Sequence, residues 1–184
     1  GLIAEISLGA DMTAKFETPI PYGKYYVQEI STDQHYILNG EKYLVSFEYM
    51  GQNIPTVSVD CGKFVNVLKR GNVNGLKIDE ETKSPLANAV FGLFKATTTN
   101  YSADNVILTA TSDENGCFSF ANIPYGDYVI KEIEAPVGYV LLYKIYPVAI
   151  TEDGDVVEIT AENIKVPVIP DIPISENPKT GDNS

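Results

Sequence analysis

Glu29 and Glu132 close two copies of one phrase. Ile20–Ile30 reads IPYGKYYVQEI and Ile123–Ile133 reads IPYGDYVIKEI, at a constant offset of 103. Residues two apart on a strand share a face. Glu29 therefore lines up with Tyr25 and Val27, and Glu132 with Tyr128 and Ile130. A carboxyl group turned toward an apolar core is costly unless something there pairs with it. In the second copy two such groups are within prospect. Lys77 lies in Leu76-Lys77-Ile78-Asp79 on the first strand of that half, and Asn163 closes Ile159-Thr160-Ala161-Glu162-Asn163 on its last. If the first and last strands of a sandwich are neighbours, an amine and a primary amide face each other with a carboxyl between them.

The elements that must hold these groups read as β-strands almost throughout. Short alternating runs of Val, Ile, Tyr and Phe are separated by Pro21-Tyr22-Gly23, Leu38-Asn39-Gly40, Glu114-Asn115-Gly116, Pro124-Tyr125-Gly126 and Asp153-Gly154. Turn signals at this spacing indicate an all-β chain folded as antiparallel sandwiches. Ala87–Lys95 is the nearest approach to a helical period, yet its Phe91, Leu93 alternation favours a strand.

A repeat of this length implies two copies of one domain type, and 184 residues have room for both. The expected division is a first unit over 1–69, a polar hinge over 70–75, a second unit over 76–166 and a Pro-rich extended tail over 167–184. Leu76–Lys131 places 56 residues before Glu132, enough for four or five strands, whereas 28 precede Glu29, enough for two or three. The first unit therefore lacks its opening strands. It is expected to be rearranged, paired with another chain, or a natural shortened variant, because an incomplete sandwich exposes unpaired edges.

The motifs around these residues combine into a recognisable pattern. Lys77-x-Asp79, then PLANAVFGLF, then Pro-Tyr-Gly-x-Tyr, then Glu132-x-x-Ala-Pro-x-Gly-Tyr139, then Asn163 resembles the Cna B-type domain. These SpaA-like, prealbumin-like (inverse immunoglobulin) domains build Gram-positive pilins and cell-wall-anchored adhesins. The resemblance covers residues 75–166 and implies a spontaneous Lys77–Asn163 isopeptide bond with Glu132 as proton relay. Physical chemistry agrees with that role. Burial favours a neutral, nucleophilic amine and a protonated carboxylic acid. The acid is expected to polarise the amide carbonyl while the amine attacks. Groups held in contact gain effective molarities on the order of 10⁵ M, enough to replace an external enzyme. The same pattern fits the first unit from Ile20 onward, with Glu29 as the acid and Asn66 as the acceptor. There Asp33–Tyr36 replaces the Ala-Pro-x-Gly part and no matching lysine precedes Glu29; Lys15 reads as a solvated residue.

The tail carries a second resemblance. Asn177-Pro178-Lys179-Thr180-Gly181 is similar to a sortase sorting motif, with Asn where the common form has Leu. It implies cleavage between Thr180 and Gly181 and transfer of Thr180 to cell-wall peptidoglycan or another pilin subunit. The implied location is extracellular, covalently attached to the wall. Tyr146-Pro147 is followed by Val148 rather than the lysine of a polymerising shaft pilin, which favours a wall-anchored base or monomeric surface protein.

Composition excludes several other classes. Thirteen basic against 25 acidic residues, a net charge of −12, argue against nucleic acid and anionic membranes as partners. No run of 18 apolar residues is present, and the abrupt start suggests a mature segment. Cys61 and Cys117 occupy non-equivalent places and read as two unpaired thiols or a linking disulfide. His35, the single histidine, has no recognisable catalytic partner. Asp113–Gly116 and Glu152–Asp155 read as hairpin turns rather than calcium loops. The Tyr-rich first unit leaves open a surface for a host protein or glycan. The expected function is a structural stalk or pilin-like segment, with an adhesin module as the alternative. Neither an enzyme active on a substrate nor a cofactor or metal is implied.

Overall fold

In the computed structural model, residues 1–54 and 56–168 are described, and every regular element among them is a strand. The chain divides at Val67/Leu68 into two units. The first holds β1 (Gly23–Gln28), β2 (Tyr36–Ile37) and β3 (Lys42–Phe47), with β4 (Val67–Leu68) at its end. The second holds β5 (Arg70–Asp79), β6 (Val90–Lys95), β7 (Leu108–Thr111), β8 (Cys117–Pro124), β9 (Gly126–Glu134), β10 (Ile145–Ile150) and β11 (Val156–Asn163).

The second unit is a sandwich. One sheet has the order β10-β9-β6-β7 and is antiparallel throughout; the other has the order β11-β5-β8. Its core draws on both sheets: Phe91, Leu93, Tyr128, Ile130, Val148 and Ile150 from the first meet Val73, Phe118, Phe120, Ile159 and Ala161 from the second. In an otherwise antiparallel unit, β11 runs parallel to β5, from Val156 opposite Asn72 to Asn163 opposite Asp79. Two strands from opposite ends of a chain can pair in parallel because the whole intervening sandwich serves as their crossover.

The segment expected as a polar hinge, Arg70–Gly75, is instead the first half of β5. Its polar residues are deceptive, because Gly71, Val73 and Gly75 alternate inward and are buried while the polar positions face out. Gly75 is required by a close approach. A Cβ there would lie 2.1–2.3 Å from ring atoms of Phe118, which stacks on Phe91 with centroids 3.9 Å apart and planes 10° from parallel.

The doubled phrase has one local structure in both units. Gly126 (φ +142°) and Gly23 (φ +156°) open β9 and β1 in a backbone conformation that a side chain disfavours. The tyrosine two residues on folds its hydroxyl back to the proline carbonyl, Tyr128 to Pro124 at 3.0 Å and Tyr25 to Pro21 at 2.7 Å. Each strand thereby starts in the phase that turns its glutamate inward.

The first unit is far less developed. β1 pairs antiparallel with β3 over six residues, and β2 pairs with β4 over two. Residues 1–22 form no strand, so of the strands for which the first 28 residues have room only β1 is made. Val45 is the single buried apolar residue among the described residues of this unit.

Gly75→Ala should destabilise the second unit by about 1–3 kcal/mol, the usual cost of overpacking a filled core. Calorimetry should find its melting temperature lowered by roughly 4 °C or more.

Candidate functional site

The inward phases of three strands converge on one point in the core of the second unit. β5 turns Val73, Gly75 and Lys77 inward, β9 turns Tyr128, Ile130 and Glu132 inward, and β11 turns Ile159, Ala161 and Asn163 inward. Lys77 and Glu132 are 0% exposed and Asn163 is 1% exposed. The parallel ladder sets Lys77 opposite Ala161, one pleat from Asn163, and Glu132 arrives from the facing sheet opposite Phe91.

Each polar group in this cluster is satisfied by the others. Lys77 Nζ donates to Asn163 Oδ1 and to the Ala161 carbonyl at 3.3 Å, and lies 3.7 Å from Glu132 Oε1. Asn163 Nδ2 donates to both oxygens of Glu132, each at 3.1 Å. The Leu142 backbone N–H donates to Glu132 Oε2 at 2.7 Å. The amide thus meets the amine at its oxygen end and the carboxyl at its nitrogen end. The expected contact of the acid with the amide carbonyl is not the one formed. The NH₂ group has two hydrogens to place and Glu132 offers two oxygens, which decides the orientation.

Burial pushes the Lys77 amine below the ordinary lysine range, opposed in part by the neighbouring Glu132. A neutral amine at the carbonyl end of a primary amide, with a carboxyl at the nitrogen, is an arrangement for acyl transfer to nitrogen. The Tyr146 phenol is pushed up, first by burial and then by the charges of Glu132 and Glu162.

Asp79, two residues beyond Lys77, anchors the end of β5. Its Oδ1 accepts the backbone N–H of Glu81 at 2.9 Å and of Thr82 at 2.8 Å. Its Oδ2 accepts the Tyr139 hydroxyl at 2.8 Å and lies 3.5 Å from Lys165 Nζ. The Thr82 N–H and the Tyr139 hydroxyl hold this carboxyl well below the usual carboxylate range. Lys77-x-Asp79 and the closing tyrosine of Glu132-x-x-Ala-Pro-x-Gly-Tyr139 are therefore two ends of one contact.

Glu29 and Asn66 are also brought together. Asn66 Nδ2 donates to Glu29 Oε1 and to Thr32 Oγ1, each at 2.7 Å, and the Asn39 N–H donates to Glu29 Oε2 at 2.9 Å. Both glutamates accept a backbone N–H from ten residues downstream. That equal spacing was available in the sequence as a signal for the Leu142 contact, as the tyrosine was for Asp79.

The remaining candidates form no further site among the described residues. Asn177, Pro178, Lys179, Thr180 and Gly181 lie outside them. Cys61 and Cys117 are unpaired thiols. His35 Nδ1 meets Asp33 Oδ1, so the histidine does have a carboxylate neighbour, in an exposed turn. Asp113 and Asp155 accept backbone N–H groups within their own turns. No group of three or more metal-ligating side chains occurs among the described residues.

Comparison with known proteins places this geometry among surface proteins. The family profile described as SpaA, prealbumin-like fold domain, matches residues 71–165, more than half of the chain. A collagen adhesin of Staphylococcus aureus is 37% identical over 70 residues, covering 38% of this chain and 6% of the adhesin. The trypsin-resistant surface T6 protein of Streptococcus pyogenes is 36% identical over 72 residues, covering 39% of this chain and 12% of that protein. The chain thus spans a small fraction of the curated relatives it matches. The Bacillus anthracis TIE protein has a similar fold, with a TM-score of 0.69 at 23% identity over 88% of this chain and 28% of that one.

The depressed Asp79 carboxyl contributes stability that is present above its unfolded value, near 3.9, and is lost as pH falls through the folded value. Wild type should therefore melt above Asp79→Asn at neutral pH. The gap should close progressively below about pH 4, as followed by thermal melts across a pH series.

Proposed function

The chain belongs to the SpaA family of prealbumin-like fold domains, and on that premise we propose that it is a structural segment of a Gram-positive surface protein of pilin type. Its second unit would be locked by an isopeptide bond between Lys77 and Asn163. The observation that carries this reading is the fully buried Lys77–Asn163–Glu132 contact.

The reaction balances without a cofactor. The neutral Lys77 amine attacks Asn163 Cγ, the Nζ–Cγ bond forms and the Cγ–Nδ2 bond breaks. A proton from Nζ passes to Glu132, and the proton that Glu132 carried passes to Nδ2, which leaves as ammonia. Glu132 Oε1 stands 3.7 Å from Nζ and 3.1 Å from Nδ2, so one carboxyl serves both transfers. This is a single self-modification in which the protein turns over no external substrate.

The mechanical consequence follows from topology. The bond would join the first and last strands of the unit, spanning 86 positions. In the chain-entropy treatment of cross-links, closing a loop of that length stabilises by about 4–5 kcal/mol. A segment tied across its own ends suits a stalk that holds other domains away from a cell wall. Attachment would follow from the sorting motif Asn177–Gly181, with a sortase as partner, peptidoglycan or a second pilin subunit as acceptor, and an extracellular location.

Intact-mass spectrometry of the 184-residue chain should find a loss of about 17 Da, the ammonia expelled on acyl transfer. Glu132→Gln keeps the shape and hydrogen bonding but removes the acid, and should restore the full mass. A wild-type mass equal to the sequence mass would sink the bond. Separately, a sortase supplied with triglycine should cut after Thr180 and append the peptide there. Thr180→Ala should stop it, and an intact tail on the wild type would count against anchoring through this motif.

A further inference from the structure

The acid–amide pair of the second unit recurs in the first with one atom left over. Glu29 repeats the contacts of Glu132: a backbone N–H from ten residues on at Oε2, and the asparagine Nδ2 on the other side. In the second unit the asparagine Oδ1 accepts from Lys77 Nζ. In the first, Asn66 Oδ1 is buried and is the only buried side-chain oxygen or nitrogen among the described residues with no hydrogen-bond partner. A buried acceptor left unmet costs about 1–3 kcal/mol, so this atom marks where a donor belongs.

No lysine of the first unit can supply it. Lys15, Lys24, Lys42 and Lys63 are all exposed, and Lys15 is paired with Glu17. The backbone has the same gap. Asn163 ends a strand laddered along its whole length to β5, whereas Asn66 is followed by β4, which pairs only with the two residues of β2. The apolar side has it too, since Val45 alone is buried there, while Tyr26, Leu44 and Tyr49 remain more than half exposed.

We propose that Asn66 is the acceptor of a second isopeptide bond, formed with a lysine on an extended strand outside residues 1–184. The occupant is a strand of the β5 type, alternating small or apolar inward residues with one inward lysine, and it completes the unit as it reacts. Its Nζ bonds to Asn66 Cγ, the Cγ–Nδ2 bond breaks, and Glu29 passes the proton that lets Nδ2 depart as ammonia. This rests on the reading of Lys77, Glu132 and Asn163 given above.

The protein is tested as isolated from its own cell surface, denatured and digested with trypsin. Trypsin releases Asn66 in Phe64–Lys69 and Asn163 in Ile145–Lys165. The linear peptide Phe64–Lys69 should be absent. In its place a branched peptide should appear, about 17 Da lighter than the sum of its two parts, and Glu29→Gln should restore the linear form. Sequencing the second arm tells whether the lysine precedes Gly1 in the same polypeptide or belongs to a separate chain. Linear Phe64–Lys69 in full yield beside a branched Lys77–Asn163 peptide overturns the proposal and leaves the second-unit bond standing. Linear peptides at both sites overturn both.

Discussion

The parallel ladder between β5 and β11 is the constraint on which the second unit depends. It sets the two ends of the domain side by side, and its register places Lys77 opposite Ala161 with Asn163 one pleat further on. Because inward positions alternate in phase on both strands, the amine and the amide emerge on the same side of the sheet. Glu132 then needs only to arrive from the facing sheet, and the tyrosine fold-back at the start of β9 fixes the phase that brings it there. A one-residue slip of any of these three strands would turn its polar group to the opposite face.

Withdrawing three polar groups from water is costly unless each finds a partner. Here the partners are one another, a backbone carbonyl and one backbone N–H. The cluster is closed, and the burial that makes it costly also pushes the amine toward its neutral form. Stability and reactivity thus arise from the same desolvation. Asp79 works in the opposite sense nearby: rich hydrogen bonding keeps its carboxyl ionised, and it anchors the strand end that carries Lys77.

The two units show how much of such a site depends on its surroundings. Both contain the proline carbonyl, the folded-back tyrosine, the inward glutamate and the asparagine at hydrogen-bond distance. Only the second has the strand that brings an amine and the apolar walls that seal it. In the first, the same acid and amide are half-buried beside exposed aromatic and aliphatic side chains.

Much of this was legible in the sequence, because strand phase is a local property. The doubled phrase, with its glycine, tyrosine and glutamate at fixed spacing, determined by itself which carboxyls face inward, and Lys77 and Asn163 could be assigned to the first and last strands. The shortage of strands before Glu29 was likewise a matter of counting residues. Long-range pairing was not legible, because nothing local encodes which strand lies beside which. The tertiary structure alone decided that β5 and β11 run parallel, that Arg70–Gly75 is strand rather than hinge, and that Glu132 meets the amide at its nitrogen. It alone revealed that Asn66 Oδ1 is buried without a donor, since an unmet hydrogen bond exists only once the chain has folded around it.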